Sequence, residues 1–172
     1  MKKSYYILFF VICAVSALLF VVFNFFVLKK DYKFYVEKYS SEYQLEEEFV
    51  YAIIKAESDF QEKAISKSGA LGLMQIVPST AKWIAGEFDE IYLKENLLSA
   101  ETNIKYGCFY LKYLFSKFKT MNEVICAYNA GETVVRDWLD DKGVLIEDKI
   151  AYEETKIYYQ RVKKFYNGYK NQ

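Results

Sequence analysis

Histidine is absent from this chain of 172 residues, and cysteine and proline are scarce, with three copies and one. Without histidine there can be no serine-histidine triad, no histidine-assisted cysteine protease and no histidine-rich zinc site. Beyond the N-terminal segment the cysteines are Cys108 and Cys126, too far apart in sequence for metal-ligand spacing, and no metal or organic cofactor is implied. Cys108 lies on an apolar stripe at 104, 108, 111, 115 and 118, so both thiols read as small buried hydrophobes; an exported location leaves a disulfide open. An excess of charge of either sign is also missing. Setting aside Lys2 and Lys3 leaves 21 of the 23 basic residues against 23 acidic ones, about −2 in all, and nothing in that balance recruits nucleic acid. Strand alternation, internal repeats and low-complexity tracts do not occur.

What the chain does have is a long apolar run at its start. Tyr5 to Leu28 carries no charge, enough for the roughly 20 residues that cross a bilayer. Lys29 and Lys30 stop the run, no small-x-small cleavage site precedes them, and Cys13 lacks the leucine and small residues of a lipoprotein signal. We expect an uncleaved signal anchor over 1–28 that crosses the membrane through residues 5–28, a juxtamembrane spacer over 29–43, and one all-α domain over 44–172. Lys2 and Lys3 balance Lys29, Lys30 and Lys33, so charge alone does not orient the span.

Within the domain, Leu45, Phe49, Ile53 and Ala56 recur at helical spacing. Ser41 and Gln44 make a capping-box pattern before them, which predicts a helix from about Gln44 to Glu57. Glu57 continues the 49, 53 row, so its carboxyl belongs at or beside the apolar face, where desolvation raises a carboxyl's pKa. A last-turn glutamate facing water is the plainer alternative. A glycine-bearing loop follows, and Pro78 suits the first position of the next helix. Ser99 is a plausible N-cap for a helix to about Phe118; Thr120 and Glu123 repeat the capping box for Met121 to Ala130, closed by Gly131; and the last helix runs from Glu153 to about Lys170. Tyrosine is the unusual abundance, with 17 copies, most of them readable as core or amphipathic surface.

Four strings in order carry more than helix periodicity: E-S-x-F…A-x-S-x-x-G-A-x-G-L-M-Q-x-x-P-x-T-A over 57 to 81, N-I-x-x-G-x-x-Y-L-x-x-L over 103 to 114, A-Y-N-A-G over 127 to 131, and E-T-K-x-Y over 154 to 158. Together they resemble the lytic transglycosylases typified by the soluble lytic murein transglycosylase catalytic domain, with lysine at 156 where that family usually has arginine. The resemblance implies a lysozyme-like helical fold of the goose-type kind, peptidoglycan glycan strands as the partner, and no cofactor. It also implies a single-pass protein of the cell membrane with its domain on the extracytoplasmic side, where that polymer lies. No protein partner is indicated.

By the same resemblance Glu57 is the sole catalytic carboxylate. It would protonate the oxygen of the β-1,4 bond between N-acetylmuramic acid and N-acetylglucosamine, then deprotonate the muramic C6 hydroxyl, which closes a 1,6-anhydro ring without consuming water. The substrate's own acetamido group assists, which removes the need for a second carboxylate. Ser66, Met74, Gln75, Tyr128, Asn129 and Glu154 match substrate-groove positions, and no residue matches a metal ligand. Read without the motifs, Met74 and Tyr128 would be core and Ser66 a turn residue. Two other readings stay open: a hydrolase of the goose-type lysozyme kind, and an inactive membrane-tethered scaffold that binds peptidoglycan.

Overall fold

The computed structural model describes residues 12, 13, 15, 16, 19, 32–140 and 142–171. The chain divides into two compact units, residues 1–34 and 35–172. In the first, residues 12, 13, 15, 16 and 19 are helical and exposed, and the rest of the expected span over 5–28 lies outside the described residues. Among the described residues no helix is long and apolar enough to cross a membrane.

The second unit is built from helices, and its described residues hold isolated β-bridges but no strand. It opens with helical residues 35–43, here α1. Val36, Tyr39 and Ser40 of α1 are buried, and the Tyr39 hydroxyl donates to Glu101 at 3.0 Å. Residues 35–43 of the segment expected as a spacer are therefore part of the packed domain. The Ser41–Gln44 cap is not formed. Ser41 is taken into α1, Gln44 adopts φ 56° in the turn, and α2 (Glu47–Ser58) starts behind an extended Glu46 with no side-chain cap. Glu47 and Glu48 in its first turn suit the positive end of the helix dipole.

The apolar face of α2 is wider than one stripe. Phe49, Val50, Ala52, Ile53, Ile54 and Ala56 are all buried, so α2 runs through the core, packed chiefly against the last helix, α7 (Glu153–Lys170). Asp59 ends α2 in the left-handed conformation and donates its N–H to Lys55 O at 3.3 Å. The next helices are α3 (Pro78–Glu87), with Pro78 in its first turn, and α4 (Ala100–Lys117), which follows a short 3₁₀ turn at Lys94–Leu98. Ser99 stands at the N-cap of α4, but its side chain makes no cap bond; the Glu62 carboxylate reaches across and accepts from Ala100 N at 3.1 Å. Thr120 and Glu123 do form the capping box of α5 (Met121–Ala130), and Gly131 closes that helix at φ 90° before the short α6 (Glu132–Arg136). Cys108 and Cys126 are buried free thiols.

Candidate active site

Two buried groups fix the loop between α2 and α3. Asn103 on α4 is fully buried: its amide nitrogen donates to Leu71 O and Leu97 O, both at 2.8 Å, and its oxygen accepts from Met74 N at 2.7 Å. Ser58, the last residue of α2, donates its hydroxyl to Leu73 O at 2.8 Å. Every side-chain hydrogen-bonding group of Asn103 is thus occupied by backbone of the loop or of the 3₁₀ turn, which is what burial of an amide requires. Gly72 sits at φ 78° against Asn103 and Leu97 O, and Gly107 on α4 leaves the space that the Met74 thioether fills. Gln75 takes φ 48° and donates its amide to Gly72 O at 2.8 Å.

The loop so held closes one side of a cavity of about 550 Å³. From α2 come Ala56 and Glu57, from the loop Ser66 and Gln75, from α5 Asn129, and from α7 Glu154, Ile157, Tyr158 and Arg161. The sequence-predicted Glu57, Ser66, Gln75, Asn129 and Glu154 are therefore brought together. Met74 and Tyr128 are not part of that lining. Met74 is fully buried beneath Gly107 because a thioether has nothing to gain from water there, and its contribution is its carbonyl, which accepts the Tyr128 hydroxyl at 2.8 Å. Tyr128 consequently braces the loop from α5. Ser66 uses its hydroxyl within its own turn, accepting Ala70 N at 3.0 Å.

Glu57 is half-buried at the end of α2. Loss of water around it pushes its carboxyl up from an ordinary 4.5 to about 7; the Tyr158 hydroxyl and the Arg161 guanidinium pull the other way, and the Glu154 charge adds to the rise. The Tyr158 ring is buried, and no group among the described residues meets full hydrogen-bond geometry with its hydroxyl, whose interaction is with the nearby Glu57 carboxyl. Burial holds the hydroxyls of Tyr128 and Tyr158 far above the usual tyrosine range, with the Glu57 charge adding to it, so both remain neutral. Arg161 donates to Ala56 O at 3.0 Å, tying α7 to the last turn of α2. Thr155 donates its hydroxyl to Asn129 Oδ1 at 2.7 Å, which leaves the Asn129 amide nitrogen as the group able to meet an acceptor on a ligand. A carboxyl that holds its proton near neutrality can deliver it to a leaving oxygen and take another back. Among the described residues no cluster of acidic, cysteine or histidine side chains could hold a metal ion.

Residues 34–150 match the transglycosylase SLT domain model. The chain belongs to the transglycosylase SLT domain family. The soluble lytic murein transglycosylase of Escherichia coli K12 is 36% identical over 120 residues, covering 67% of this chain and 18% of that protein. The membrane-bound lytic murein transglycosylase C of Haemophilus ducreyi is 33% identical over 115 residues, 58% of this chain and 30% of the relative. Among solved structures, an inactive mutant of the lytic transglycosylase Slt from Pseudomonas aeruginosa superposes with a TM-score of 0.73 at 30% identity, covering 81% of this chain and 24% of that one. A soluble lytic transglycosylase in complex with bulgecin A gives 0.74 at 31% identity. The chain thus spans under a third of the length of these relatives.

Tyr158 closes the E-T-K-x-Y string, whereas Ile157 and Arg161 are cavity residues that no string names. Their signal was present in the SLT domain sequence as spacing. Counted from Glu154, positions 157, 158 and 161 are i+3, i+4 and i+7, the same face of one helix.

Proposed function

We propose that this SLT domain is a peptidoglycan lytic transglycosylase, cleaving the β-1,4 bond between N-acetylmuramic acid and N-acetylglucosamine with a 1,6-anhydromuramic end as product. The observation that carries the reading is Glu57, a half-buried carboxyl pushed up to about 7 at the edge of a cavity shared with Ser66, Gln75, Asn129 and Glu154. Protonated Glu57 gives its proton to the glycosidic oxygen as the bond to C1 breaks. The carboxylate left behind takes the proton of the muramic C6 hydroxyl, whose oxygen bonds to C1. Glu57 is protonated again at the end and no water enters the product. Asn129, with its amide nitrogen available, and Gln75, held by its own turn, serve as polar contacts to the sugar, while Met74 and Tyr128 hold the loop behind them. Glu154 stands at the same cavity as a supporting carboxylate. The names of the murein transglycosylase relatives support the substrate class. We further propose that residues 5–28 anchor the chain in the cell membrane, with the domain on the extracytoplasmic side.

The test uses the full chain in detergent, incubated with purified peptidoglycan beside Glu57→Gln, and the released fragments are weighed by mass spectrometry. Fragments lighter than hydrolytic ones by one water, absent with the variant, are expected. Fragments of full hydrolytic mass would instead indicate a hydrolase of the goose-type lysozyme kind that activates water, and bound but uncut peptidoglycan would leave a binding scaffold.

A further inference from the structure

Arg161 has more hydrogen-bonding capacity at the cavity than the fold uses. Its guanidinium carries five N–H donors in a rigid plane, and the fold occupies one nitrogen, through the 3.0 Å bond from Nη2 to Ala56 O. That bond anchors the plane beside Glu57, at the wall where Arg161 lines the cavity. Two carboxyl groups, Glu57 and Glu154, share this cavity, yet among the described residues Arg161 forms no ion pair within salt-bridge distance. The chain's other arginine, Arg136, lies on the surface beside Glu132. Arg161 is also exposed on its open side, so a ligand in the cavity can reach it without displacing protein.

We propose that Arg161 recognises a carboxylate on the substrate, and so makes the cavity selective for glycan strands that carry one near the cleaved bond. This rests on the glycan-lyase reading given above. A carboxylate fits the fork of a guanidinium through two parallel N–H···O bonds, which neither a neutral sugar hydroxyl nor an amide can match in charge. Muramic acid offers two sources. Its lactyl ether ends in a free carboxylate when the strand is stripped of peptide, and in an amide when a stem peptide is attached, in which case the carboxylates are those of the stem. Both present the same chemistry to Arg161.

Binding separates this from turnover. The full chain carrying Glu57→Gln, which keeps the cavity uncharged at that position, is titrated calorimetrically at fixed ionic strength with three preparations of one glycan: peptide-bearing strands, peptide-stripped strands, and strands whose carboxylates have been converted to primary amides. The same titrations are run with Arg161→Gln or Arg161→Lys added. Carboxylate-bearing strands should bind on the order of tenfold or more tightly than the amidated ones, Arg161→Gln should bring all three to one weak level, and Arg161→Lys should keep part of the difference. A preference confined to stripped strands assigns the lactyl group, and one confined to peptide-bearing strands assigns the stem. The proposal is overturned if the preference survives Arg161→Gln, or if the chain with Arg161 intact never distinguishes amidated strands. Failure of the lyase reading looks different: the chain with Glu57 intact leaves every strand uncut or releases fragments of full hydrolytic mass, whatever the binding titrations give.

Discussion

At residue 57 the sequence and the fold meet on one carboxyl. The 49, 53, 57 row put Glu57 beside the apolar face, and that is where it lies, half-buried, with its pKa raised as desolvation demands. What the row could not supply are the opposing influences of Tyr158 and Arg161, contributed from about a hundred positions away in sequence by a helix whose docking no local pattern encodes. The raised value has a stability consequence with a definite sign. The folded chain holds the proton more tightly than the unfolded chain, so this group's contribution is fully present below about 4.5 and is lost as the pH rises toward about 7. Glu57→Gln removes the burden of an ionised carboxyl in that site. The variant should match the parent in thermal unfolding near pH 4 and exceed it at pH 8 by about 1 to 3 kcal/mol; equal midpoints at both pH values would mean that the carboxyl is not desolvated. The acid catalysis proposed for Glu57 should fall away over the same upper range, read as the descending limb of the rate against pH.

The loop from Asp59 to Val77 shows what is legible at the level of elements. Its glycines announced positive φ, and Gly69 and Gly72 have it, but Gln75 adopts the same region with a side chain, an arrangement that turn statistics do not favour. The reason is tertiary, since Met74 N is claimed by Asn103 and Met74 O by Tyr128 on either side of that peptide. Local capping was similarly divided. Thr120 and Glu123 make their box because both lie outside any other helix, whereas Ser41 was drawn into α1 and Ser99 yielded its place to Glu62. The close approaches give a direct test. Gly107→Ala would push a methyl into the Met74 thioether, and Gly72→Ala would press one against Asn103 and the Leu97 carbonyl at φ 78°. Overpacking of this kind costs about 1 to 3 kcal/mol. Gly72→Ala should be the worse of the two in chemical denaturation, because a backbone carbonyl cannot swing aside as a methionine can. Gly69→Ala, with open space around the added carbon, should cost only the strain of its backbone conformation.

Across the whole molecule, the all-α lysozyme-like architecture was readable from helix periodicity and four ordered strings, whereas the beginning of the folded unit was not. The sequence suggested a spacer over 29–43 because charge and tyrosine dominate there, yet Val36, Tyr39 and Ser40 are buried and the compact unit starts at Tyr35. A chain beginning at Tyr35 should unfold at a midpoint on the order of 10 °C above one beginning at Gln44, since burial of Val36 and Tyr39 contributes about 1.5 to 3 kcal/mol each; equal midpoints would reduce α1 to a tether. The longest-range partnership is α2 with α7. Tyr166 and Lys170 both reach Glu46, Tyr166 packs its ring on Phe49, and Arg161 bonds Ala56. Closing a loop of that length is the slow kind of step in folding, because its entropy must be met before its contacts form. The walls that dry out Glu57 are the same late-arriving side chains. Until the last helix has been synthesised and has docked, residue 57 lacks the walls that dry it out, so the order of assembly itself acts as a safety catch on the wall-cutting chemistry proposed for it.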